Sequence, residues 1–321
     1  MPDTDIAKES SPLAEPLEFT LGATVRPERL DKVLAGLLPD HSRSRLQGWI
    51  EAGHVQVNGE AARSNRQTAG PGDVITVWEQ TPPESLAFTP EDVPFGVIAD
   101  SPDWIIVDKP AGLVTHPGAG NWHGTLLNGL LFRYPELAGV ARAGIVHRLD
   151  KDTSGLLVVA RNEKAQTHLV RQLQARSVSR EYYALVHGRL PQRGTVDQAI
   201  GRDARVPVRM TVDRPIAPKT AVTHYEPLRA GHTPEDKGVT LVRCVLETGR
   251  THQIRVHMAS VGHALVGDTL YGGKCLAGAA RQLLHARALR FGDPGTEARV
   301  AFESPLAHDF QQILDVITWE S

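Results

Sequence analysis

The sequence predicts an α+β fold in which a small domain precedes a larger domain built on a mostly antiparallel sheet. Apolar residues recur at helical spacing in two early segments, whereas later apolar residues form many short runs of strand length with few helices between them. At 321 residues, the chain is long enough for one large hydrophobic core and one small one. It has neither a GxGxxG fingerprint nor a phosphate-binding P-loop, so a doubly wound nucleotide-binding sheet is not predicted.

The small domain is predicted over residues 15–78. Leu30 opens a run of apolar residues at i, i+3, i+4, i+7 and i+8 that predicts one helix, and Ser42 is a suitable N-cap for a second helix. Gly53 is placed to end that second helix in the left-handed conformation. The dipeptide Asn58-Gly59 then predicts a tight hairpin turn, so we expect two helices packed on a small sheet.

The rest of the chain divides into a tail, a linker and a larger domain. Residues 1–14 are polar and aperiodic, which predicts a disordered tail, and residues 79–95 are acidic and proline-rich, which predicts a stiff linker. The larger domain is predicted over residues 96–321 and begins with a strand at 104–109 that Pro110 terminates. Further elements predicted in this domain are strands at 156–161, 182–186, 240–246 and 286–291 and a helix at 165–175.

The net charge of −2 hides an uneven distribution. Residues 1–24 and 79–103 carry −4 and −6, so the rest of the chain carries about +8. Residues 141–190 alone hold nine Lys and Arg against four Asp and Glu. A local basic excess of this kind suits the phosphate backbone of a nucleic acid.

Other classes of protein are not favoured by the sequence. No stretch approaches the roughly 20 apolar residues of a membrane-spanning helix, and the first 18 residues lack an apolar signal core, so we expect a cytoplasmic protein with no membrane partner. Cys244 and Cys275 lie in unrelated contexts and are expected to be a core thiol and a loop thiol.

Fourteen histidines raise the question of a metal site, but their spacing does not support one. His252 and His257 are five residues apart, which is not the i, i+4 spacing of a zinc-binding HExxH helix. His116 and His123 lie in a loop without nearby carboxylates. No metal is therefore predicted, and His147 is expected to be a structural hydrogen-bonding residue.

The most informative segment is the charged hexad Arg148–Thr153, which stands between two apolar runs. Ile145-Val146 and Leu156–Ala160 are predicted as buried strands, and a loop joining such strands would present Asp150 and its charged neighbours at a sheet edge. The alternative for such a loop is a tight turn in which the acids cap backbone amides and pair with the basic residues.

Several motifs in the larger domain resemble those of the RluA/RluD-type pseudouridine synthases. They are Gly144–Ala160 (GIVHRLDKDTSGLLVVA), Lys109–Gly118 (KPAGLVTHPG), Ser179–Ala184 (SREYYA), Glu247–His257 (ETGRTHQIRVH) and Gly267–Gly273 (GDTLYGG). The small domain resembles the S4 RNA-binding module through RLDK at 29–32, SRSR at 42–45 and VQVNG at 55–59. Together these motifs are similar to the branch of the family that carries an S4 module and acts on large-subunit (23S) ribosomal RNA.

The resemblance implies an isomerase that detaches uracil from a uridine at N1 and rejoins it through C5 to the same sugar carbon, without a cofactor. It places the catalytic carboxylate, acting as nucleophile or base, at Asp150. It implies that Arg255 keeps Asp150 ionised and that Tyr182 packs on the uracil and assists loss of the C5 proton. From the residues alone, Arg255 could equally form a structural ion pair and Tyr182 could be a core residue.

The resemblance also implies a set of RNA-binding residues. Arg148 would fill the space left by the extruded base, and Leu284 would pack against the target base. Lys151 is expected to contact phosphate or a structural acid. Four cations at the starts of the two small-domain helices are expected to bind phosphate or, alternatively, to form an ordinary solvated face: Arg29, Lys32, Arg43 and Arg45.

We therefore expect a monomeric enzyme that isomerises uridines in a loop of structured large-subunit ribosomal RNA, either free or in a pre-ribosomal particle. The competing interpretation is an RNA chaperone or assembly factor in which the hexad is only a turn. The segment between Gly273 and Leu283 is shorter than in the family pattern, so contacts to the substrate loop are not predicted there.

Overall fold

The computed structural model describes residues 15–80, 83–118 and 120–320. The predicted tail over residues 1–14 lies outside the described residues. The chain divides into two compact units, and the division falls between residues 82 and 83, inside the segment predicted as a linker.

The N-terminal unit consists of two helices and a set of short strands. Its helices are α1 (Leu30–Leu37) and α2 (Arg43–Glu51). Its strands are β1 (Leu17–Thr20), β2 (Glu28–Arg29), β3 (Val55–Val57), β4 (Glu60–Ala61), β5 (Thr68–Ala69) and β6 (Val74–Val77). Strands β1, β6, β3 and β4 form an antiparallel sheet in that order, and β2 pairs with β5.

Local predictions for this unit are confirmed. The Ser42 hydroxyl accepts a hydrogen bond from the Arg45 amide and so caps α2. Gly53 follows α2 with a φ of 81°, and Asn58 and Gly59 have φ values of 54° and 82° in the turn between β3 and β4. Apolar side chains from both helices and from β3 and β6 form the buried core of the unit.

A buried carboxylate joins the two helices of the N-terminal unit. Asp31, in the first turn of α1, is fully buried and accepts hydrogen bonds from Arg29, Arg43 and Gln47 at 2.7 to 3.2 Å. Burial acts to raise the pKa of Asp31, but the hydrogen bonds from Gln47, Arg43 and Arg29 together outweigh burial and lower the pKa to about 2. The carboxylate therefore stays ionised and ties the start of α1 to α2.

The second unit confirms the predicted α+β fold with a mostly antiparallel sheet. Its helices are α3 (Leu126–Arg133), α4 (Glu163–Gln174), α5 (Gln253–Ser260) and α6 (His308–Asp315). Its first strands are β7 (Gly96–Asp100), β8 (Trp104–Lys109), β9 (Ser154–Ala160), β10 (Ser179–His187), β11 (Gly194–Asp197), β12 (Ile200–Arg202) and β13 (Met210–Thr211). The others are β14 (Ile216–Lys219), β15 (Val222–His232), β16 (Gly238–Leu246), β17 (Leu284–Gly292), β18 (Arg299–Glu303) and β19 (Thr318–Trp319).

The main sheet has the strand order β11-β15-β16-β10-β17-β9-β8-β7, with β18 beside β17 and β19 beside β15. As far as the described residues extend, its strand pairs are antiparallel except for β9 with β17. Strands β12, β13 and β14 form a separate small sheet.

The parallel pairing of β9 with β17 brings the hexad beside later segments of the chain. Strand β9 begins at Ser154, directly after the hexad, and pairs with β17 at His285. On its other side β17 pairs with β10, where Tyr182 lies opposite Ala286. Gly155 has a φ of 105°, and a Cβ at this position would lie 2.3 Å from the carbonyl oxygen of Ala286, so the close approach of the two strands requires glycine.

The predicted strand at Ile145-Val146 is wrong. Ile145 forms only an isolated bridge with Val159. The preceding residues Arg142, Ala143 and Gly144 have φ values of 56°, 49° and 75°, so the chain enters Ile145 from a left-handed turn and no ladder extends from there. The hexad therefore leads from an irregular segment into β9 and does not join two strands.

The predicted linker over residues 79–95 is packed over its second part. Residues Pro83–Phe88 form a 3₁₀ helix. The side-chain amide of Asn128, in α3, donates to the carbonyl oxygens of Ala87 and Thr89. These hydrogen bonds anchor the segment to α3, so residues from 83 onward belong to the second unit.

Replacing Asp31 by Asn should destabilise the N-terminal unit, because a neutral amide cannot replace a carboxylate that accepts from two guanidinium groups. The lowered pKa of Asp31 corresponds to about 2 kcal/mol of unfolding free energy at neutral pH. Since the folded-state pKa lies below the unfolded value, this contribution is complete above about pH 4 and is lost as the pH falls towards 2. Urea unfolding at pH 7 and pH 3, followed by the fluorescence of the buried Trp49, would measure the difference.

Asp40→Asn is the matched control, because Asp40 is exposed in the turn before α2. We expect the control to unfold like the wild type at both pH values. Equal losses for the two variants would contradict the role assigned to Asp31.

Candidate active site

A cleft of about 710 Å³ lies on the second unit where the hexad meets β10, β17 and the start of α5. Its lining is strongly basic among the described residues: six arginines face two carboxylates. These residues are Arg142, Arg148, Arg176, Arg180, Arg250 and Arg255, with Asp150 and Glu247. Such a surface suits an anionic substrate.

Arg255 joins two carboxylates inside the second unit. Its Nη1 donates to Asp150 Oδ2 at 3.2 Å, while its Nε and Nη2 form a bidentate pair with Asp268 at 2.7 and 2.9 Å. Burial acts to lower the pKa of Arg255, but Asp268 and then Asp150 raise it overall, so the guanidinium stays charged. No described residue hydrogen-bonds to Asp150 Oδ1, which leaves that oxygen available to a substrate.

The turn before α5 explains how Arg255 reaches Asp150. His252 begins the helix in the left-handed conformation, with a φ of 56°. The Gln253 side chain accepts hydrogen bonds from the Thr248 hydroxyl at 2.7 Å and from the Arg250 amide at 3.0 Å, and it donates to the backbone of β15. These bonds fix the turn against β15, so the first turn of α5 presents Arg255 to the hexad.

Tyr182 lies on β10 and is only 5% exposed. Burial raises the pKa of Tyr182; the Arg180 charge opposes this effect and the Asp150 charge adds to it, so the resting form at neutral pH is the phenol. Among the described residues, none hydrogen-bonds to its hydroxyl. The structure thus brings Asp150, Tyr182 and Arg255, the three residues predicted to be catalytic, into one cleft.

Two of the three RNA-binding residues predicted for this domain line the same cleft. Arg148 is exposed and Leu284 is buried, and both contribute to the cleft lining. Lys151 does not: its side chain is exposed outside the lining, while its carbonyl oxygen accepts hydrogen bonds from Lys109 Nζ and the Gly112 amide, both at 2.9 Å. In the structure, the backbone of Lys151 thus holds the hexad in place.

The four cations predicted to bind RNA in the N-terminal unit do not form a cluster of unpaired charges. Arg29 and Arg43 both pair with Asp31, at 2.9 and 2.8 Å, and Lys32 pairs with a glutamate one turn earlier at 2.6 Å. Arg45 is half-buried on α2. The side chains of Arg29 and Arg43 remain 41% and 46% exposed, so both keep an outer side that an RNA phosphate can reach.

Sequence reasoning did not identify Lys109 as part of the site, although it is fully buried. Its Nζ donates to the carbonyl oxygens of Pro110, Leu113 and Lys151 at 2.8 to 2.9 Å, and so connects the loop after β8 to the hexad. Burial lowers the pKa of Lys109 to about 7 against the attraction of the hexad carboxylates. Two features of the sequence could have indicated it: Lys109 ends the apolar run of β8, and it is the first residue of the motif at 109–118.

A hydrogen-bonded pair beside Arg255 was also missed. Tyr271 accepts a hydrogen bond from the Met210 amide at 3.0 Å, and its hydroxyl lies 2.8 Å from His252 Nδ1. Its ring lies 5.0 Å from the guanidinium carbon of Arg255. This arrangement lets the Tyr271 hydroxyl donate to Nδ1, with His252 Nε2 then carrying the proton 4.0 Å from Asp150 Oδ2.

Other side chains considered from the sequence have structural surroundings. The His147 Nε2 accepts a hydrogen bond from the Val158 amide at 3.1 Å, the structural role predicted for it. Cys244 is buried and Cys275 is exposed. Within the described parts of the chain, no three His, Cys, Asp or Glu side chains are grouped so that they could hold a metal ion. The described helices are too short or too polar to cross a membrane.

Replacing Lys109 by Met should destabilise the second unit, because the buried Leu113 carbonyl oxygen and the Pro110 carbonyl oxygen lose their donor, while the Lys151 carbonyl keeps only the Gly112 amide. An unsatisfied buried group such as the Leu113 carbonyl costs about 1–3 kcal/mol, so we expect a loss of at least about 1 kcal/mol. The pKa of Lys109 falls from 10.5 to about 7 on folding, so the wild type should gain stability as the pH rises from 7 towards 10, and the variant should lack this gain.

Urea unfolding at pH 7 and pH 9.5 would measure both effects, with Lys164→Met on the exposed face of α4 as the control. The same pH dependence in Lys109→Met and in the wild type would contradict the prediction.

Comparisons with known proteins agree with this geometry. Residues 103–260 match the family model described as RNA pseudouridylate synthase, and residues 28–75 match the S4 domain. Two relatives are named ribosomal large subunit pseudouridine synthase D. The protein from Neisseria meningitidis serogroup B is 45% identical over 99% of this chain and 86% of its own length, and the one from Nitrosomonas europaea is 46% identical over 94% and 88%.

Among solved structures, human RNA pseudouridylate synthase domain containing 1 is 30% identical, with a TM-score of 0.54 over 71% of this chain and 86% of its own. The matched synthase segment spans the cleft residues Asp150, Tyr182 and Arg255. This chain therefore belongs to the RNA pseudouridylate synthase family and carries an S4 domain ahead of its synthase domain.

Proposed function

We propose that this protein isomerises specific uridines of large-subunit (23S) ribosomal RNA to pseudouridine, with Asp150 as the catalytic carboxylate. The observation that carries the proposal is the pair of Asp150 and Arg255, at 3.2 Å, beside Tyr182 in a cleft lined by arginines. The names of relatives that match nearly the whole chain support large-subunit RNA as the substrate. The S4 domain supports a structured RNA partner.

The target uridine must leave its RNA stack to reach Asp150. Extruding a base costs a few kcal/mol, and least in a loop that is already unpaired. The exposed guanidinium of Arg148 is suited to occupy the vacated position and offset part of this cost. Leu284 then provides an apolar contact for the extruded uracil.

Asp150 begins the reaction as a carboxylate held by Arg255. Its unoccupied oxygen either attacks the sugar or the base, or removes the proton at C2′ of the sugar, and the N1 glycosidic bond breaks. The detached uracil turns, and its C5 bonds to the same sugar carbon. Loss of the C5 proton restores the aromatic ring and a proton returns to N1, so the product is an isomer of the substrate and no cofactor is consumed.

Tyr182 is proposed to act on the uracil. Its ring lies in the cleft with Asp150 and offers a flat apolar surface to the base. Because burial raises the pKa of Tyr182, its resting form is the phenol. Its proposed part in C5 deprotonation is therefore to relay the proton through its hydroxyl, rather than to take up the proton as a tyrosinate.

The N-terminal unit is proposed to hold the RNA through phosphate contacts. The cations that would make these contacts are Arg29, Lys32, Arg43 and Arg45, and Lys151 would contact phosphate beside the cleft. The domain boundaries proposed are 15–78 and 96–321. Asp150, Tyr182 and Arg255 come from one chain, which supports a monomeric enzyme. Its proposed place of action is the cytoplasm, on free ribosomal RNA or on a pre-ribosomal particle, which the names of its relatives support.

Release of tritium from 23S RNA labelled at uracil C5 would test the proposed reaction, because the C5 proton is lost only when the isomer forms. We expect the wild type to release tritium and Asp150→Asn to be slower by more than about 1000-fold, since the reaction loses its carboxylate. Asp236→Asn is the control, because Asp236 lies in an exposed turn with a φ of 56° that asparagine tolerates.

Labelled 16S RNA would be incubated in parallel and should release nothing. Binding of 23S RNA without release of tritium from any variant would favour the RNA chaperone instead. Release by Asp150→Asn at the wild-type rate would remove Asp150 from the mechanism.

Asp268→Asn should slow the reaction with little effect on RNA affinity, because Asp268 is a positioning residue that holds Arg255 and is itself 1% exposed. We expect the maximal rate to fall about 10- to 100-fold, since a displacement of about 1 Å in a catalytic group costs this much. The half-saturating RNA concentration should change by less than about threefold. Thermal melting would establish that the variant is folded, and an unchanged maximal rate would contradict this role.

A further inference from the structure

The guanidinium of Arg180 lines the cleft without a carboxylate partner. Arg180 lies on β10 two residues before Tyr182, and it is only 7% exposed. In the part of the chain that the structure describes, no carboxylate oxygen lies within 4.0 Å of it. Its Nη2 donates to the carbonyl oxygen of Glu247 at 3.2 Å, whereas its Nε is buried without any hydrogen-bond partner.

Other deeply placed arginines of this protein are paired. Arg255 forms a bidentate pair with Asp268, and Arg281 forms one with Asp309 at 2.6 and 2.9 Å. A buried guanidinium costs free energy unless an anion and hydrogen bonds compensate it. In the free protein, no anion compensates the buried charge of Arg180. Such an arrangement is expected when the compensating anion belongs to a ligand.

The surroundings of Arg180 fit a ligand with full negative charge. Burial lowers the pKa of Arg180, Tyr182 acts to raise it, and repulsion by the charge of Arg250 lowers it further. The nearby Glu247 carboxylate does not neutralise the two arginines, because it is held by Arg176 at 2.6 Å and by His224 at 2.8 Å. Two guanidinium groups that line the same cleft attract an anion more strongly than a neutral carbonyl group.

The backbone leaves room for this arrangement. Gly249 passes so close to Arg180 that a Cβ at residue 249 would lie 2.6 Å from its Nη1. The Gln253 side chain fixes the turn that carries Gly249 and Arg250. The position of the guanidinium is therefore set before any RNA arrives.

We propose that Arg180, assisted by Arg250, binds a phosphodiester group of the RNA backbone next to the extruded uridine. The planar fork of a guanidinium matches two phosphate oxygens. This contact rests on the proposed function and adds the group that fixes the sugar of the target nucleotide relative to Asp150. A contact to a uracil oxygen is the alternative that the experiment must separate.

Single-turnover tritium release would be measured on the shortest 23S RNA fragment that the wild type modifies. The fragments would carry a neutral methylphosphonate in turn at each phosphate flanking the target uridine. The variants are Arg180→Gln, Arg180→Lys and, as the control, Arg290→Gln; Arg290 lies on the neighbouring strand β17 outside the cleft lining, and its side chain is 46% exposed near Glu181.

For Arg180→Gln on unmodified RNA, we expect about a tenfold rise in the half-saturating enzyme concentration. One methylphosphonate position should weaken the wild type by a similar factor and should not weaken Arg180→Gln further, because both changes remove the same contact. The slope of log affinity against log salt should fall by about 0.7 for the variant, as for one lost phosphate contact on a single strand. The control should match the wild type throughout.

The proposal would be overturned if Arg180→Gln and the methylphosphonate weakened binding additively at every flanking phosphate. It would also be overturned if Arg180→Gln lowered only the maximal rate, because that result indicates a contact to the uracil. Without RNA, Arg180→Gln should melt no lower than the wild type; a clearly lower melting temperature would assign Arg180 to the fold and also overturn it. Arg180→Lys is taken through the same cycle as a second variant, since lysine keeps the charge but not the fork.

Failure of the proposed function has a different signature. In that case the wild type releases no tritium from any fragment. Fluorescence anisotropy titrations of the same methylphosphonate RNAs against the wild type and Arg180→Gln still measure the phosphate contact. If Arg180→Gln and the methylphosphonate weaken binding additively in these titrations, the inference about Arg180 is overturned, as it would be by the same result in the kinetic cycle.

Discussion

The site depends on how one guanidinium is divided between two carboxylates. Asp268 takes the bidentate side of Arg255, and Asp150 receives only Nη1. A bidentate pair with Asp150 would occupy both of its oxygens and leave a poor nucleophile or base. The observed division keeps Arg255 charged and oriented by a residue that does not react, and it gives Asp150 one charge-assisted hydrogen bond with one oxygen to spare.

The two units use arginine in opposite ways. In the N-terminal unit, a buried carboxylate holds Arg29 and Arg43, so these cations are oriented at the surface but partly neutralised. In the cleft, arginines outnumber carboxylates three to one, and Arg180 is buried without an acid. The first arrangement suits recognition of RNA shape with modest affinity, whereas the second concentrates positive charge where the nucleotide must be held.

Sequence patterns predicted the helices and strands better than the contacts between side chains that are distant in sequence. Helical spacing located α1 and α2, and short motifs located Asp150, Tyr182 and Arg255, because each motif contains its residue. Asp268 and Lys109 also stand in motifs, but their roles were missed because a motif does not show which partners the fold brings to a side chain, here Arg255 and the carbonyl oxygens of two loops. The strand at Ile145-Val146 failed because a left-handed run at Arg142, Ala143 and Gly144 precedes it and leaves Ile145 with an isolated bridge, and of these three residues only Gly144 is of a type that signals such a backbone.

The parallel pairing of β9 with β17 has a consequence for how the protein is made. Asp150 and Arg255 are 105 residues apart, and β17, the parallel neighbour of β9, begins only at Leu284. During translation, Asp150 is therefore exposed for many seconds before its partners emerge, at about 5–20 residues per second. A nascent chain beside the RNA of its own ribosome therefore has no assembled active site. The protein can react only after the last third of the chain has been synthesised and has joined the sheet.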